Sequence, residues 1–348
     1  MGVLKNKLPS KNPKIREKEE LLHKHAIRYA KDEYENNPLG ILTRILTKAK
    51  LRHALYMGLV YMRWLDYIAD ESPMSQKDKI GFLKKSLSFL GDCKKREFSY
   101  LELMRLRIEE RCAYYFTKDC TEALKDRGAS KQVIDEILAS YGLMIKSILQ
   151  DTENHMKTLP AKDFYGKVYY LKAGVGIREY AYSYSNNPSK RLLRSFEHIG
   201  YIWQMTNDNL DIADDLEDGI INITEEEALK HGIDFNNYKG NYPALVNFLS
   251  KNTTFFEDRV SLLKKWEVIV REGFPDMTFR QRLLVRRYLS LLCPNEFKPG
   301  SKHYRTMQQL GKFKNRKKIF GLLMLSIFFI SRNLTLFLMD SYERLKGF

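Results

Sequence analysis

The run QMTNDNLDIADDLED, Gln204 to Asp218, separates into two faces when wound at about 3.6 residues per turn. Gln204, Asn207, Asp208, Asp211, Asp214, Asp215 and Asp218 fall within about a third of the circumference. Ile202, Met205, Ile212, Ala213 and Leu216 lie opposite, with Trp203 and Leu210 at the flank. The pattern predicts a buried helix that carries one acidic stripe. No Lys or Arg occurs between Arg194 and Lys230, although 59 of 348 residues are basic, a density that would put about six in that interval. Carboxylates gathered without cations in their own segment call for an external one. Hard oxygen ligands spaced i, i+4, i+8 suit Mg²⁺ or Mn²⁺.

Helical periodicity continues outward in both directions. It predicts segments near 23–35, 40–70, 76–91, 97–125, 130–157, 163–184, 188–218, 242–271 and 278–292. Strand alternation bounded by hairpin signals is missing, so the expected fold class is all-α. The expected architecture is one large helical bundle over 21–311, with a ligand site built in a central cavity from side chains on facing helices.

A second polar cluster lies on the segment LRHALYMGLVYMRWLDYIADES, residues 51–72. Arg52, Tyr56, Arg63, Asp66 and Asp70 share a narrow arc with Leu59 among them, and Glu71 follows. By itself this cluster is either a salt-bridge network around Arg63 or a carboxylate wall. Taken with the first, the simplest joint expectation is two metal-binding walls facing one cavity.

Composition narrows the partners. The formal charge of +16 draws the protein to polyanions. No nucleic-acid motif accompanies that charge, which leaves an anionic membrane surface or a phosphorylated substrate. Cys93, Cys112, Cys120 and Cys293 have no CxxC spacing, so neither a disulfide framework nor a zinc site is expected, and the default compartment is cytoplasmic. Residues 1–20 are basic with two prolines and read as a mobile arm. At the other end, 312–318 (KFKNRKK) precede the apolar run 319–330 (IFGLLMLSIFFI). Arg332 interrupts before LTLFLM, which leaves a core helix, an interfacial helix or a spanning anchor open for 312–348.

These residues resemble a family. KLRHALYMGLVYMRWLDYIADE is similar to the first signature of squalene and phytoene synthases, through Arg52, Tyr56, Arg63, Asp66, Asp70 and Glu71. QMTNDNLDIADD resembles the second, Q-x-x-N-x-x-R-D-x-x-E-D, through Gln204, Asn207, Asp211, Asp214 and Asp215. Between them, ILQDTENHMKTLPAKDFYGKVYYLKAGVG resembles the family's Tyr-rich helix ending in A-G-x-V-G, here Ala173, Gly174, Val175 and Gly176. The segment DGIINITEEEALKHGID follows the family pattern of a Gly-led loop and a helix.

The resemblance implies an isoprenoid synthase fold and Mg²⁺-dependent head-to-head condensation of two prenyl diphosphates, farnesyl or geranylgeranyl, with NADPH use undetermined. It implies metal held by Asp66 and Asp70 on one wall and by Asn207, Asp211 and Asp215 on the other. Arg52, Tyr56, Arg63, Lys172 and Gln204 are the expected substrate contacts, Arg offering a fork to diphosphate and Lys a point charge. Tyr165, Tyr169 and Tyr170 are either core or cavity wall. Leu210 replaces the family's second-signature Arg, and Ile220, Asn222 and Thr224 replace the Arg, Tyr and Pro of its G-R-x-Y-x-P loop. Asn207, Asp208, Asp211 and Asp215 also resemble the metal motif of class I terpene cyclases, so a cyclase acting on one prenyl diphosphate is the alternative reaction. A non-catalytic descendant, lipid-binding or an assembly protein, is the alternative outside enzymes. Membrane-soluble products favour contact with a membrane surface.

Overall fold

The computed structural model describes residues 12–35, 43, 47, 49–153, 158–183, 185, 187–217, 220–238 and 241–292. The fold class is all-α, with no strand among the described residues. The chain forms two compact units, Met1–Glu35 with Leu42–Thr152, and Asn36–Ile41 with Glu153–Phe348.

The first unit contains α1 (Pro13–Tyr34), α2 (Ala49–Asp70), α3 (Gln76–Lys95), α4 (Tyr100–Arg105), α5 (Ile108–Lys125) and α6 (Lys131–Glu153). Helix α1 begins inside the expected arm, which corrects that expectation for residues 13–20. The Asn12 side chain accepts from Lys14 N at 3.0 Å, and Pro13 occupies the first turn, where its missing N–H leaves nothing unsatisfied. Arg16 and Glu20 then pair across one turn at 3.7 Å. Proline and dense charge mark a helix start as readily as an arm. Residues 1–11 lie outside the described ones.

Helix α2 packs along α5 and α1, with Ala54, Met57 and Leu65 fully buried. At Gly58 a Cβ would stand 2.6 Å from the Tyr141 ring of α6, so the absence of a side chain sets how closely these helices approach. The helix expected over 97–125 is interrupted at Leu106 and Arg107. Two separate starts explain the break: Ser99 and Glu102 cap α4 reciprocally, and the Arg107 N–H donates to Glu110 at 2.9 Å.

The second unit opens with α7 (Ala161–Asp163), two π-helical turns (Phe164–Val168 and Tyr170–Gly174), α8 (Val175–Arg178) and a 3₁₀ turn (Glu179–Ser183). Then follow α9 (Lys190–Glu217), α10 (Glu225–His231), α11 (Tyr242–Lys251), α12 (Thr253–Glu272) and α13 (Phe279–Leu292). The 242–271 segment is divided at Asn252, whose side chain accepts from Phe255 N at 3.3 Å and starts a new helix.

Helix α9 is the axis of this unit and packs against α12, α8 and the second π-helical turn. A Cβ on Gly200 would lie 2.6 Å from the Ala173 carbonyl oxygen, and one on Gly174 would lie 2.6 Å from the Tyr201 ring. Ala173 and Gly174 therefore serve helix-to-helix approach. Beyond them Ile212, Leu216, Ile223, Leu245, Leu249 and Phe255 form the buried core beneath α10. Thr224 and Glu227 cap the start of α10, and Gly232 closes it with φ +67.

Cys93, Cys112 and Cys120 are buried free thiols. Cys293 and the 312–348 segment lie outside the described residues. Among the described residues no helix is long and apolar enough to cross a membrane.

Candidate functional site

The acidic stripe of α9 is divided by depth. Asp208 is buried with 2% of its surface exposed, and both its oxygens accept hydrogen bonds. The Tyr169 hydroxyl donates to one at 2.5 Å and the Gln204 amide to the other at 2.7 Å. Burial pushes the Asp208 carboxyl above its ordinary value, against the charges of Lys172 and Arg259 and these two hydrogen bonds. The Tyr169 hydroxyl is raised well above the usual phenol value, by burial first and by the Asp208 charge second. Gln204, an expected substrate contact, is thus engaged inside the unit.

The next residue, Asn209, is also buried. Its Oδ1 accepts from Arg259 Nη1 at 2.7 Å. Arg259, on α12, is 1% exposed and spends its fork on three partners. Its Nε reaches Glu227 at 2.8 Å, and its Nη2 reaches the Asn222 carbonyl at 2.5 Å and Glu227 at 3.0 Å. The Tyr165 hydroxyl completes the network by donating to Glu227 at 3.0 Å. Burial alone would raise the Glu227 carboxyl, but the Arg259 charge and hydrogen bonds hold it below the usual range.

This network corrects the argument from missing counter-charge. The interval 195–229 has no cation of its own, yet Arg259 and Lys172 bring positive charge to it from elsewhere in the chain. The signal for Arg259 was present in TFFEDRVSLLKKW: Phe255, Phe256, Leu263 and Trp266 surround it on one helical face. An Arg at the centre of an apolar face must find a buried anion.

Around Tyr169 the rings of Phe164, Tyr165, Tyr201 and Trp266 form an aromatic cluster. Trp266 lies 5.7 Å from Tyr165, 6.0 Å from Tyr169 and 5.6 Å from Tyr201. Tyr169 is core, while Tyr165 and Tyr170 are half-buried. Tyr170 accepts from Arg178 at 3.1 Å. Lys172 is half-buried.

Of the expected metal ligands on α9, Asn207 is exposed and Asp215 is half-buried. One Asp215 oxygen accepts from the Asn222 amide at 2.6 Å. The side chains of Leu210, Asp211 and Asp214 lie outside the described residues. Among the described residues no three His, Cys, Asp or Glu side chains gather as a metal site. The amide oxygen of Asn207 and the carboxylate of Asp215, two turns apart on one helix, are nevertheless the hard donors that Mg²⁺ accepts, and Asp211 falls between them in register.

In the first unit, Tyr56 is 2% exposed and stacks on Tyr34 with ring centroids 6.5 Å apart. Arg52 is half-buried and donates to the Thr47 carbonyl at 3.1 Å. Arg63 and Asp66 pair at 3.2 Å, with 68% and 31% of their side chains exposed. Asp70 and Glu71 are exposed, and Lys79 caps the end of α2 by donating to the Ala69 carbonyl at 2.7 Å. The buried version of a salt-bridge network around Arg63 is therefore replaced by a pair in water.

In sequence the chain matches no protein-family profile and no curated protein. In three dimensions it is similar to a crystal structure of a dehydrosqualene synthase in complex with ligand. The TM-score is 0.56 at 16% sequence identity, over 90% of this chain and 99% of that one. At that identity the likeness establishes a shared fold, the isoprenoid synthase-like arrangement that the sequence signatures implied.

Proposed function

We propose that this protein is a Mg²⁺-dependent prenyl transferase of the squalene and phytoene synthase type, condensing two prenyl diphosphates head to head. The observation that carries the proposal is α9 itself. A single 28-residue helix presents Asn207, Asp211 and Asp215 in the register of the family's second signature, within the same fold as a dehydrosqualene synthase. Asp66 and Asp70 of α2 are assigned as the second carboxylate set through the first signature.

Bound Mg²⁺ would supply Lewis-acid stabilisation of the departing diphosphate. The remaining roles belong to the chain. Arg52, Arg63 and Lys172 donate hydrogen bonds and charge to diphosphate oxygens. The aromatic cluster of Tyr165, Tyr169, Tyr201 and Trp266 offers ring faces, each worth ~0.5–2 kcal/mol to a developing carbocation, and keeps water out. Asp208 fixes Tyr169 and Gln204, a positioning role.

Incubation of the full chain with Mg²⁺ and farnesyl or geranylgeranyl diphosphate tests the proposal. The expected outcome is diphosphate release and a product with twice the carbon count of the substrate. Asp211→Asn is expected to abolish turnover with the far-ultraviolet circular dichroism unchanged; undiminished turnover in that variant would sink the assignment. A product with the carbon count of one substrate would establish the cyclase alternative.

A specific observation favours a second, non-catalytic reading as a lipid-binding or assembly protein. The Asn222 amide occupies an Asp215 oxygen, and Leu210 stands where the family has its Arg. Thermal unfolding with Mg²⁺, with inorganic diphosphate and with both separates the two. The transferase gains stability from the pair, about 2.7 kcal/mol at a hundredfold excess over the dissociation constant. The non-catalytic protein gains none.

A further inference from the structure

Within the first unit, residues from α1, α5 and the chain around α4 line a cavity of about 50 Å³, whose wall includes Glu19, Glu20, His23, Phe98, Tyr114 and Tyr115. Glu19 is 5% exposed, and its Oε2 makes no hydrogen bond among the described residues. Its neighbours are differently placed. Glu20 pairs with Arg16 at 3.7 Å, Glu97 with Lys118 at 3.5 Å, and Asp119 with His23 at 2.8 Å. A buried carboxylate oxygen without a partner is costly and is neutralised either by a proton or by a bound cation. Burial, and then the nearby Glu97 charge, raise the Glu19 carboxyl, so the site has free energy to gain from a cation.

The walls select the kind of cation. Tyr115 stacks on His23 with ring centroids 4.4 Å apart and meets Tyr114 edge to face at 5.2 Å, while Phe98 meets Tyr114 at 5.1 Å. Such rings attract cations, and two of them already do: Arg96 lies over Phe98 at 4.0 Å and Lys118 over Tyr114 at 5.5 Å. Among the described residues no group of three His, Cys, Asp or Glu side chains, Glu19, Glu20 and His23 included, is placed to hold a metal ion. The volume holds a group of very few heavy atoms.

We propose that this cavity binds a small ammonium cation, ammonium itself or a short primary amine, with its charge beside the Glu19 carboxylate and its flank against the tyrosine rings. The test is the melting temperature of the full chain at matched ionic strength in the chlorides of ammonium, methylammonium, sodium, potassium and tetramethylammonium. Ammonium and methylammonium are expected to raise it by about 2–4 °C over sodium and tetramethylammonium. Glu19→Gln is expected to remove that selective rise, and Glu17→Gln, at an exposed acid of α1 outside the cavity wall, to keep it. Equal melting in every salt would mean that Glu19 carries a proton instead, and would overturn the proposal. So would an equal rise in potassium chloride, or a rise that persists in Glu19→Gln. Should Glu19→Gln not fold, selectivity in the unaltered chain decides the matter.

Discussion

Helices α2 and α9 both carry acids on one face, and water treats the two faces differently. On α2, Arg63 and Asp66 meet at 3.2 Å with 68% and 31% of their side chains exposed. On α9, Asp208 and Asn209 are buried, one tied to Tyr169 and Gln204, the other to an Arg259 that is itself 1% exposed. An ion pair in water gains little, because solvent screens the charges and two long side chains lose freedom. A buried guanidinium is tolerated only because each face of its fork finds an acceptor, and removing one member leaves the others stranded. The same residue types therefore decorate one helix and hold the other in place.

The largest consequence falls on Arg259. Arg259→Met keeps the stem and removes the fork, which leaves Glu227, a carboxylate 15% exposed, without its cation and Asn209 Oδ1 without its donor. The expected loss is about 3–5 kcal/mol of unfolding free energy, read from urea midpoints. A loss below about 1 kcal/mol would mean that water reaches this network and that the contrast between the helices is false.

The acid partner gives a smaller effect with a defined pH signature. The folded-state value of Glu227 lies below the ordinary 4.5, held there by Arg259 against burial. A depressed carboxyl contributes stability that is fully present above 4.5 and is lost as pH falls through the folded value. Glu227→Gln is expected to cost on the order of 1.5–3 kcal/mol at neutral pH, the range for hydrogen bonds to charged groups. The gap between the variant and the unaltered chain should then narrow as pH drops below 4.5. A gap that stays constant down to strongly acid pH would show that the pair is not linked to folding.

What the sequence could convey follows from the same contrast. Period made α9, α2 and most of the helices legible, because amphipathic spacing acts within one segment, whereas the caps at Ser99 and Arg107 that divide 97–125 went unread. The π-helical turns at 164–174 were not legible, since one extra residue per turn leaves the apolar spacing nearly helical. On the wheel, Asp208 sits at the edge of the acidic stripe, and only Tyr169, 39 residues earlier, decides that it points inward. Arg259 is 32 residues from Glu227 and 50 from Asn209, so the counter-charge of α9 was invisible to a count made inside its own interval. The hard-oxygen register of Asn207, Asp211 and Asp215 was legible because it needs nothing beyond helical geometry.

The smallest effect belongs to α2. Arg63→Ala removes an i,i+3 pair whose arginine is mostly in water, so the stability change is expected to stay within about 0.5 kcal/mol and to shrink further in high salt. Turnover separates structure from function at this position. If Arg63 contacts diphosphate, Arg63→Ala lowers kcat/KM for a prenyl diphosphate while the urea midpoint stays where it was. If both remain unchanged, Arg63 and Asp66 are an ordinary surface pair, and the first signature has lost its phosphate contact on this helix. Stability and turnover falling together would instead mean that Arg63 supports the fold, and the comparison between a solvated α2 and a cross-linked α9 would have to be redrawn.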